Sequence, residues 1–156
     1  MARRRSGLRA REDESTVDHN ETMSAPATTQ LNDDRLIYLV DDEEMLLELA
    51  EVSLMAGGYE LKKFHSPEAA FESFTREPRK PSLMMTDYCM GSMTGLELSV
   101  KCKSASPTLK ILMVSGTAGP EVLRNAPGAV DRFLSKPYLP SELARTVRAL
   151  LAEDAV

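Results

Sequence analysis

Five predicted strands, of which the clearest are short apolar runs, alternate with segments that have the hydrophobic spacing of helices, and this alternation constrains the fold more than any other feature of the chain. The first run, Leu36 to Val40, is nearly continuous, which is typical of a strand buried on both faces of a sheet. Further strands are predicted at 59–64, 82–86, 109–114 and 130–134. Strands that alternate with helices favour a parallel sheet covered on both faces, so we predict an α/β fold.

Five helices are predicted between and after these strands. The segment 43–56 has apolar residues at helical spacing and is stopped by Gly57-Gly58. Ser66 and Pro67 are typical of an N-cap and a first-turn residue, so they begin the second helix. The remaining helices are predicted at 96–103, at 120–125, where the segment is short, and from Pro140 onward.

The chain has 156 residues, of which 42% are hydrophobic, and this is enough for one globular domain with a packed core. Residues 1–34 lack hydrophobic periodicity, so we predict a disordered tail followed by one folded domain at 35–156. The tail is interpreted as solvated, or as an over-extended gene start with Met23 as the true beginning. The alternative is an arm that contacts phosphates or anionic lipid through its arginines, at positions 3, 4, 5, 9 and 11.

Composition and missing motifs argue against several classes of protein. A net charge of -5 argues against a nucleic-acid binder, and no apolar run approaches the ~20 residues that span a bilayer. No apolar stretch follows the first arginines, so no secretory signal is predicted. Cys89 and Cys102 fit neither a disulfide framework nor a CxxC metal site, so we expect a cytoplasmic protein. The chain lacks a GxxxxGK loop, which argues against an NTPase.

Charged and hydroxyl side chains stand at the ends of four predicted strands: Asp41 and Asp42, Asp87, Ser115 and Lys136. The carboxyl ends of parallel strands form one edge, where such sheets bind ligands, so we expect these side chains to converge. Three neighbouring carboxylates repel one another, and Mg²⁺ relieves this repulsion because it takes oxygen ligands. A lysine ammonium suits a phosphoryl oxygen. The set therefore predicts phosphoryl transfer with a carboxylate nucleophile.

Four motifs, in their order and spacing, resemble the receiver domains of two-component response regulators. They are Leu-Val-Asp-Asp-Glu-Glu at 39–44, Thr-Asp-Tyr-Cys-Met-Gly-Ser-Met-Thr-Gly at 86–95, Val-Ser-Gly at 114–116 and Phe-Leu-Ser-Lys-Pro-Tyr at 133–138. The resemblance covers the chain from the first strand through the last helix. It implies a doubly wound, five-stranded parallel sheet with five helices and the flavodoxin-like strand order 2-1-3-4-5.

The resemblance also implies a role for each site residue. Asp87 is the residue that is phosphorylated, and Ser115 and Lys136 contact the phosphoryl oxygens. The implied ligands of Mg²⁺ are Asp41, which acts largely through a water, Asp42, Asp87 and the backbone carbonyl of Cys89.

The leading hypothesis is a stand-alone signalling phosphoacceptor, not an enzyme in the ordinary sense. A histidine kinase or a histidine phosphotransfer protein would donate the phosphoryl group to Asp87, and the new charge would shift an equilibrium between inactive and active states. Binding of a downstream protein would change at the face of the fourth helix, fifth strand and fifth helix. We expect the domain to catalyse its own phosphorylation and dephosphorylation. Partners among nucleic acids and membranes are not expected, whereas a homodimer that forms on phosphorylation is left open.

Four departures from the family pattern affect this hypothesis. Gly91 replaces the usual proline, which predicts a less pre-organised loop. Ser115 stands where threonine is more usual, and Phe133 replaces the common tyrosine without offering a phenol hydroxyl. The short fourth helix is hemmed in by Pro120, Pro127 and Gly128.

Three other functions remain as alternatives. A phosphatase with an aspartyl nucleophile generally carries a second acid two residues later, where this chain has Cys89, so the general acid would be missing. A nucleic-acid-associated regulator would use the arginines of the tail. A flavin-binding fold of the same topology would lack a phosphate-binding turn, and the acidic pair after the first strand would repel the cofactor phosphate.

Overall fold

The computed structural model describes residues 35–153, and one parallel sheet runs through this part of the chain. The strand order is β2-β1-β3-β4-β5, so the predicted order and direction are confirmed. The predicted disorder of residues 1–34 concerns positions outside the described range, as do the last three residues of the predicted domain. The strands are β1 (Leu36–Val40), β2 (Glu60–Phe64), β3 (Leu83–Asp87), β4 (Lys110–Ser115) and β5 (Arg132–Ser135).

Five helical segments cover the sheet, as predicted, and the fourth is a 3₁₀ helix at Pro120–Asn125. Proline at its start and Pro127-Gly128 after it leave room for only a short helix, and Gly128 has a φ of +80°. A 3₁₀ turn at Met55–Gly57 extends the first helix. The α-helices are α1 (Glu44–Leu54), α2 (Pro67–Arg76), α3 (Gly95–Ala105) and α4 (Pro140–Ala152), so α4 is the predicted fifth helix.

Both faces of the three central strands, β1, β3 and β4, are buried, which explains their continuous apolar runs in the sequence. All five residues of β1 are buried, because alternate side chains point to opposite faces. On one face Ile37 and Leu39 pack in a cluster with α1 and α4, while on the other Tyr38 and Val40 pack with Phe74 of α2 and with α3. The sheet is thus a rigid platform whose carboxyl edge carries the loops.

Side-chain caps fix where the helices begin at this edge. Ser66 accepts a hydrogen bond from the Ala69 amide at 3.2 Å, which confirms its predicted N-cap role. At the start of α3, the Thr94 hydroxyl accepts from the Glu97 amide while the Glu97 carboxylate accepts from the Thr94 amide. This reciprocal cap anchors the end of the loop after β3. Within residues 35–153, no helix combines the length and the apolar character needed to cross a membrane.

Candidate functional site

The side chains that were predicted to converge do stand at the carboxyl edge of the sheet. Asp41 follows β1 directly, Asp87 ends β3 and Ser115 ends β4, whereas Lys136 follows β5. The amide of Lys136 donates to the Ser115 carbonyl at 2.8 Å, so the lysine continues the ladder between β4 and β5. Four neighbouring strand ends thereby supply one site.

Three carboxylates form the acidic part of this site. Asp41, Asp42 and Asp87 each offer one oxygen, and these oxygens lie within 4.8 Å of one another. Asp41 and Asp87 are buried, with 6% and 8% of their surface exposed, while Asp42 is exposed. Opposite ligands of Mg²⁺ lie about 4.2 Å apart when its bonds are 2.0–2.1 Å, so a small adjustment would bring these oxygens around one ion. The donor set therefore fits Mg²⁺.

Lys136 provides the positive charge of the site. Its Nζ atom lies 2.9 Å from Oδ2 of Asp41 and 3.2 Å from Oδ1 of Asp87, and the three side chains are largely shielded from water. From the sequence, the lysine was predicted at this edge but was paired only with a phosphoryl oxygen. The direct bond to Asp41 was missed, and the signal for it was an acid directly after a fully buried strand, where a carboxylate needs a partner.

Burial controls the protonation of this cluster. Desolvation raises the pKa of Asp87 above its ordinary value, and the charge of Asp41 raises it further, while Lys136 opposes the shift. Burial also acts to lower the pKa of Lys136, but the hydrogen bond and charge of Asp41, together with Asp87, outweigh it and the pKa is raised. Lys136 therefore stays protonated, and the carboxyl group of Asp87 ionises less readily than that of an ordinary aspartate.

We expect Asp87 to make the protein less stable as the pH rises in the absence of divalent ions. The pKa of Asp87 in the folded chain lies above the ordinary value of 3.8, so the fold favours the protonated carboxyl group. The resulting contribution to the free energy of unfolding is complete below pH 3.8 and is lost as the pH rises through the raised pKa. The measurement is the free energy of urea unfolding in a chelator, from about pH 3 to about pH 7. The Asp87→Asn variant serves as the reference, and a difference that stays constant with pH would contradict the expectation.

Ser115 is oriented by the loop that follows it. Its hydroxyl oxygen accepts hydrogen bonds from the amides of Thr117 and Ala118, at 3.2 Å and 2.9 Å, and the residue is buried. Because the oxygen acts as an acceptor in both bonds, the hydroxyl proton is free to be donated elsewhere. The side chain is therefore a positioned donor at the edge of the sheet.

Gly95 packs directly against the backbone of Asp87, although from the sequence it was assigned only to the motif at 86–95. A Cβ atom at this position would lie 2.0 Å from the carbonyl oxygen of Asp87 and 3.0 Å from Oγ1 of Thr86. The amide of Gly95 also donates to the Tyr88 carbonyl at 2.9 Å. The start of α3 can approach β3 this closely only with glycine, and the signal was a glycine directly after the N-cap Thr94.

The loop after β3 explains one departure from the family pattern. Gly91 has a φ of +44°, in the left-handed region that favours glycine, so a proline with φ near -65° would not fit this conformation. Cys89 is exposed and free, and its proposed carbonyl role remains a prediction. Phe133 is half-buried on β5 and packs near Met113 and Leu96.

Comparison with known proteins identifies the family. The family model of the response regulator receiver domain matches residues 37–148. The chain belongs to this family. Phosphorylation on aspartate and binding of Mg²⁺ at an acidic site are typical of receiver domains, which act in two-component systems and interact with histidine kinases.

Individual relatives support the same assignment. The receiver domain is 30% identical over 118 residues to the response regulator receiver protein CpdR of Brucella abortus, an alignment that covers 75% of this chain and 96% of CpdR. It is 29% identical over 120 residues to the phosphate regulon transcriptional regulatory protein PhoB of Pseudomonas aeruginosa, covering 75% of this chain but only 52% of PhoB. The chain thus spans about half the length of PhoB.

A solved structure shows the same fold. The response regulator protein TrrA from Thermotoga maritima, in complex with Mg²⁺ and beryllofluoride, is 25% identical with a TM-score of 0.65. The match covers 74% of this chain and 98% of that one. The sheet order and the helices on both faces are therefore those of a receiver domain.

Proposed function

We propose that Asp87 accepts a phosphoryl group from a phosphohistidine of a histidine kinase or a histidine phosphotransfer protein. A carboxylate oxygen of Asp87 forms a bond to phosphorus while the bond from phosphorus to the histidine nitrogen breaks and its electron pair returns to the imidazole. The supporting observation is a buried carboxylate at a sheet edge with an ammonium 3.2 Å away and two more carboxylates beside it. Such a site performs transfer mainly by positioning and charge neutralisation.

Asp42 and Asp87, with the carbonyl of Cys89, are the proposed direct ligands of Mg²⁺. When bound, the ion supplies positive charge that offsets the carboxylates and the transferring phosphoryl oxygens. Both oxygens of Asp41 already have partners, because Oδ1 accepts from the Glu43 amide at 2.9 Å and Oδ2 pairs with Lys136. This supports a role for Asp41 through a water.

The phosphoryl group on Asp87 would then recruit Ser115 and Lys136. The free proton of the Ser115 hydroxyl would be donated to one phosphoryl oxygen, and the Lys136 ammonium would pair with another. The loops that carry Ser115 and Lys136 would move toward the phosphoryl group. Because half-buried Phe133 lies close by on β5, this movement would change the face formed by Pro120–Asn125, β5 and α4. We infer that a downstream protein binds this face differently before and after phosphorylation.

The match to CpdR, which covers 96% of that receiver protein, supports the role of a signalling receiver, and we propose the cytoplasm as its compartment. Self-catalysed phosphorylation and dephosphorylation follow from the same residues. The alternative of a phosphatase gains no support, because the exposed thiol of Cys89 stands where a second carboxyl would act.

Incubation of the full chain with acetyl phosphate and Mg²⁺ is expected to add the mass of one phosphoryl group. An acyl phosphate survives acid and is lost in alkali, so the two treatments followed by mass spectrometry identify its chemistry. Peptide mapping should place the adduct on the peptide that contains Asp87, and EDTA should suppress its formation. An alkali-stable adduct, or one that maps to another peptide, would refute the proposed site.

A further inference from the structure

Helix α1 exposes an apolar stripe next to the site. Met45, Leu49, Val52 and Met55 recur at helical spacing, and they expose 80%, 38%, 66% and 68% of their surface. We call these four residues the α1 stripe. A contiguous row of exposed large apolar side chains is typical of a surface that contacts another segment or molecule.

Acidic residues flank this stripe. Glu44 and Glu48 are both exposed and lie one turn apart beside it, and Asp42 and Glu43 are exposed at the end of α1 nearest the site. A second copy of the chain would bring the same acids against them, so the surface disfavours its own copy and favours a positively charged occupant.

Arginine matches such a mixed surface because its aliphatic stem covers apolar area while its guanidinium pairs with carboxylates. Residues 1–11 contain five arginines and no acid, and Leu8 lies among them. We propose that this amino-terminal segment docks on the α1 stripe and its flanking acids.

The chain enters the fold where it can reach this surface. The carbonyl of Arg35 accepts from the Glu60 amide at 3.1 Å, so the chain enters beside the start of β2, near the Met55 end of α1. Arg11 precedes Arg35 by 24 positions. A coil of that length spans about 27 Å, whereas α1 is about 16 Å long.

Docking of a tethered segment needs little intrinsic affinity, because the tether gives an effective concentration of about 1 mM. The docking does not depend on the proposed function of Asp87.

The test compares the full wild-type chain with a full chain in which Arg3, Arg4, Arg5, Arg9 and Arg11 are changed to glutamine. Without Mg²⁺ or phosphodonor, the NMR amide shifts of α1 are expected to differ between the two proteins, while those of α3 on the opposite face stay the same. The difference should vanish near 1 M salt, where the Debye length is about 3 Å. It should also vanish when Met45→Ser and Glu48→Gln are introduced into both chains, but not with the matched control Glu72→Gln on α2.

Three results would overturn the docking proposal. Identical α1 shifts in the two proteins would show that the arginines do not reach the helix. Shifts that change with protein concentration would mean that a second copy covers the stripe, and α1 shifts that arise only when DNA is added would assign the arginines to nucleic acid.

Discussion

Replacing Asp87 with asparagine is expected to abolish the phosphoryl adduct while the protein stays folded. The amide has nearly the shape of the carboxyl group but lacks the nucleophilic oxygen, so no acyl phosphate can form. The fold should tolerate the change, since the variant removes a carboxylate that burial and Asp41 both disfavour. Lys136 keeps its bond to Asp41, so the ammonium is not left alone. Mass spectrometry after incubation with acetyl phosphate and Mg²⁺ measures the adduct, and circular dichroism verifies the fold.

The matched control for this prediction is Glu72→Gln, which removes an exposed carboxylate from α2 and should leave the adduct at the wild-type level. An adduct that persists in Asp87→Asn would show that another residue is the phosphoacceptor. If the variant were unfolded, the ion pair between Asp87 and Lys136 would stabilise the fold by more than desolvation of the Asp87 carboxylate destabilises it. That result would contradict the expected tolerance of the substitution.

The fold and most of the site can be predicted from two patterns in short sequence segments, which are the hydrophobic periodicity and the polar residues that follow the strands. The buried run of β1 and the helical spacing after it determine a parallel sheet, and the side chains that follow the strands then share one edge. Asp87 and Lys136 are 49 positions apart in the sequence, yet each was placed from its own strand alone. The family resemblance added the strand order, which hydrophobic periodicity does not encode.

The missed features depend on geometry between segments. Whether Lys136 bonds to Asp41 or waits for a phosphoryl oxygen depends on the register of β5 and on the path of the next loop. The short 3₁₀ segment at Pro120–Asn125 was placed correctly, but its hydrogen-bond pattern depends on the loop that follows it. The role of Gly95 depends on how closely α3 approaches β3, which no single segment determines.

The charge arrangement links stability to function. Three carboxylates share a partly buried edge with one ammonium among the described residues of the cluster, so the site retains excess negative charge. This excess negative charge lowers the stability of the fold, because the carboxylates repel one another. The same charge favours the binding of a divalent ion, and the phosphoryl group that follows recruits Lys136. The large apolar clusters on both faces of the sheet stabilise the fold against this cost.

Substitution of Gly95 by alanine is expected to destabilise the protein and to slow phosphorylation, although alanine is the better helix former. Helix propensity alone would favour alanine by at most about 1 kcal/mol, the difference in a helix interior, because Gly95 is the first residue of α3. The added Cβ would lie 2.0 Å from the Asp87 carbonyl oxygen, a backbone atom that cannot rotate away, and such overpacking costs about 1–3 kcal/mol. The clash therefore outweighs the propensity, and the free energy of urea unfolding should fall.

The same clash pushes on the backbone of Asp87, so the initial rate with acetyl phosphate should fall about 100-fold if the carboxylate moves by about 1 Å. Gly116→Ala is the matched control at the same edge, because its Cβ would lie 3.5 Å from the Cβ of Lys136, an ordinary contact. That variant should keep both its stability and its rate. If Gly95→Ala behaved like Gly116→Ala, the close approach of α3 to β3 would not be what positions the phosphoacceptor.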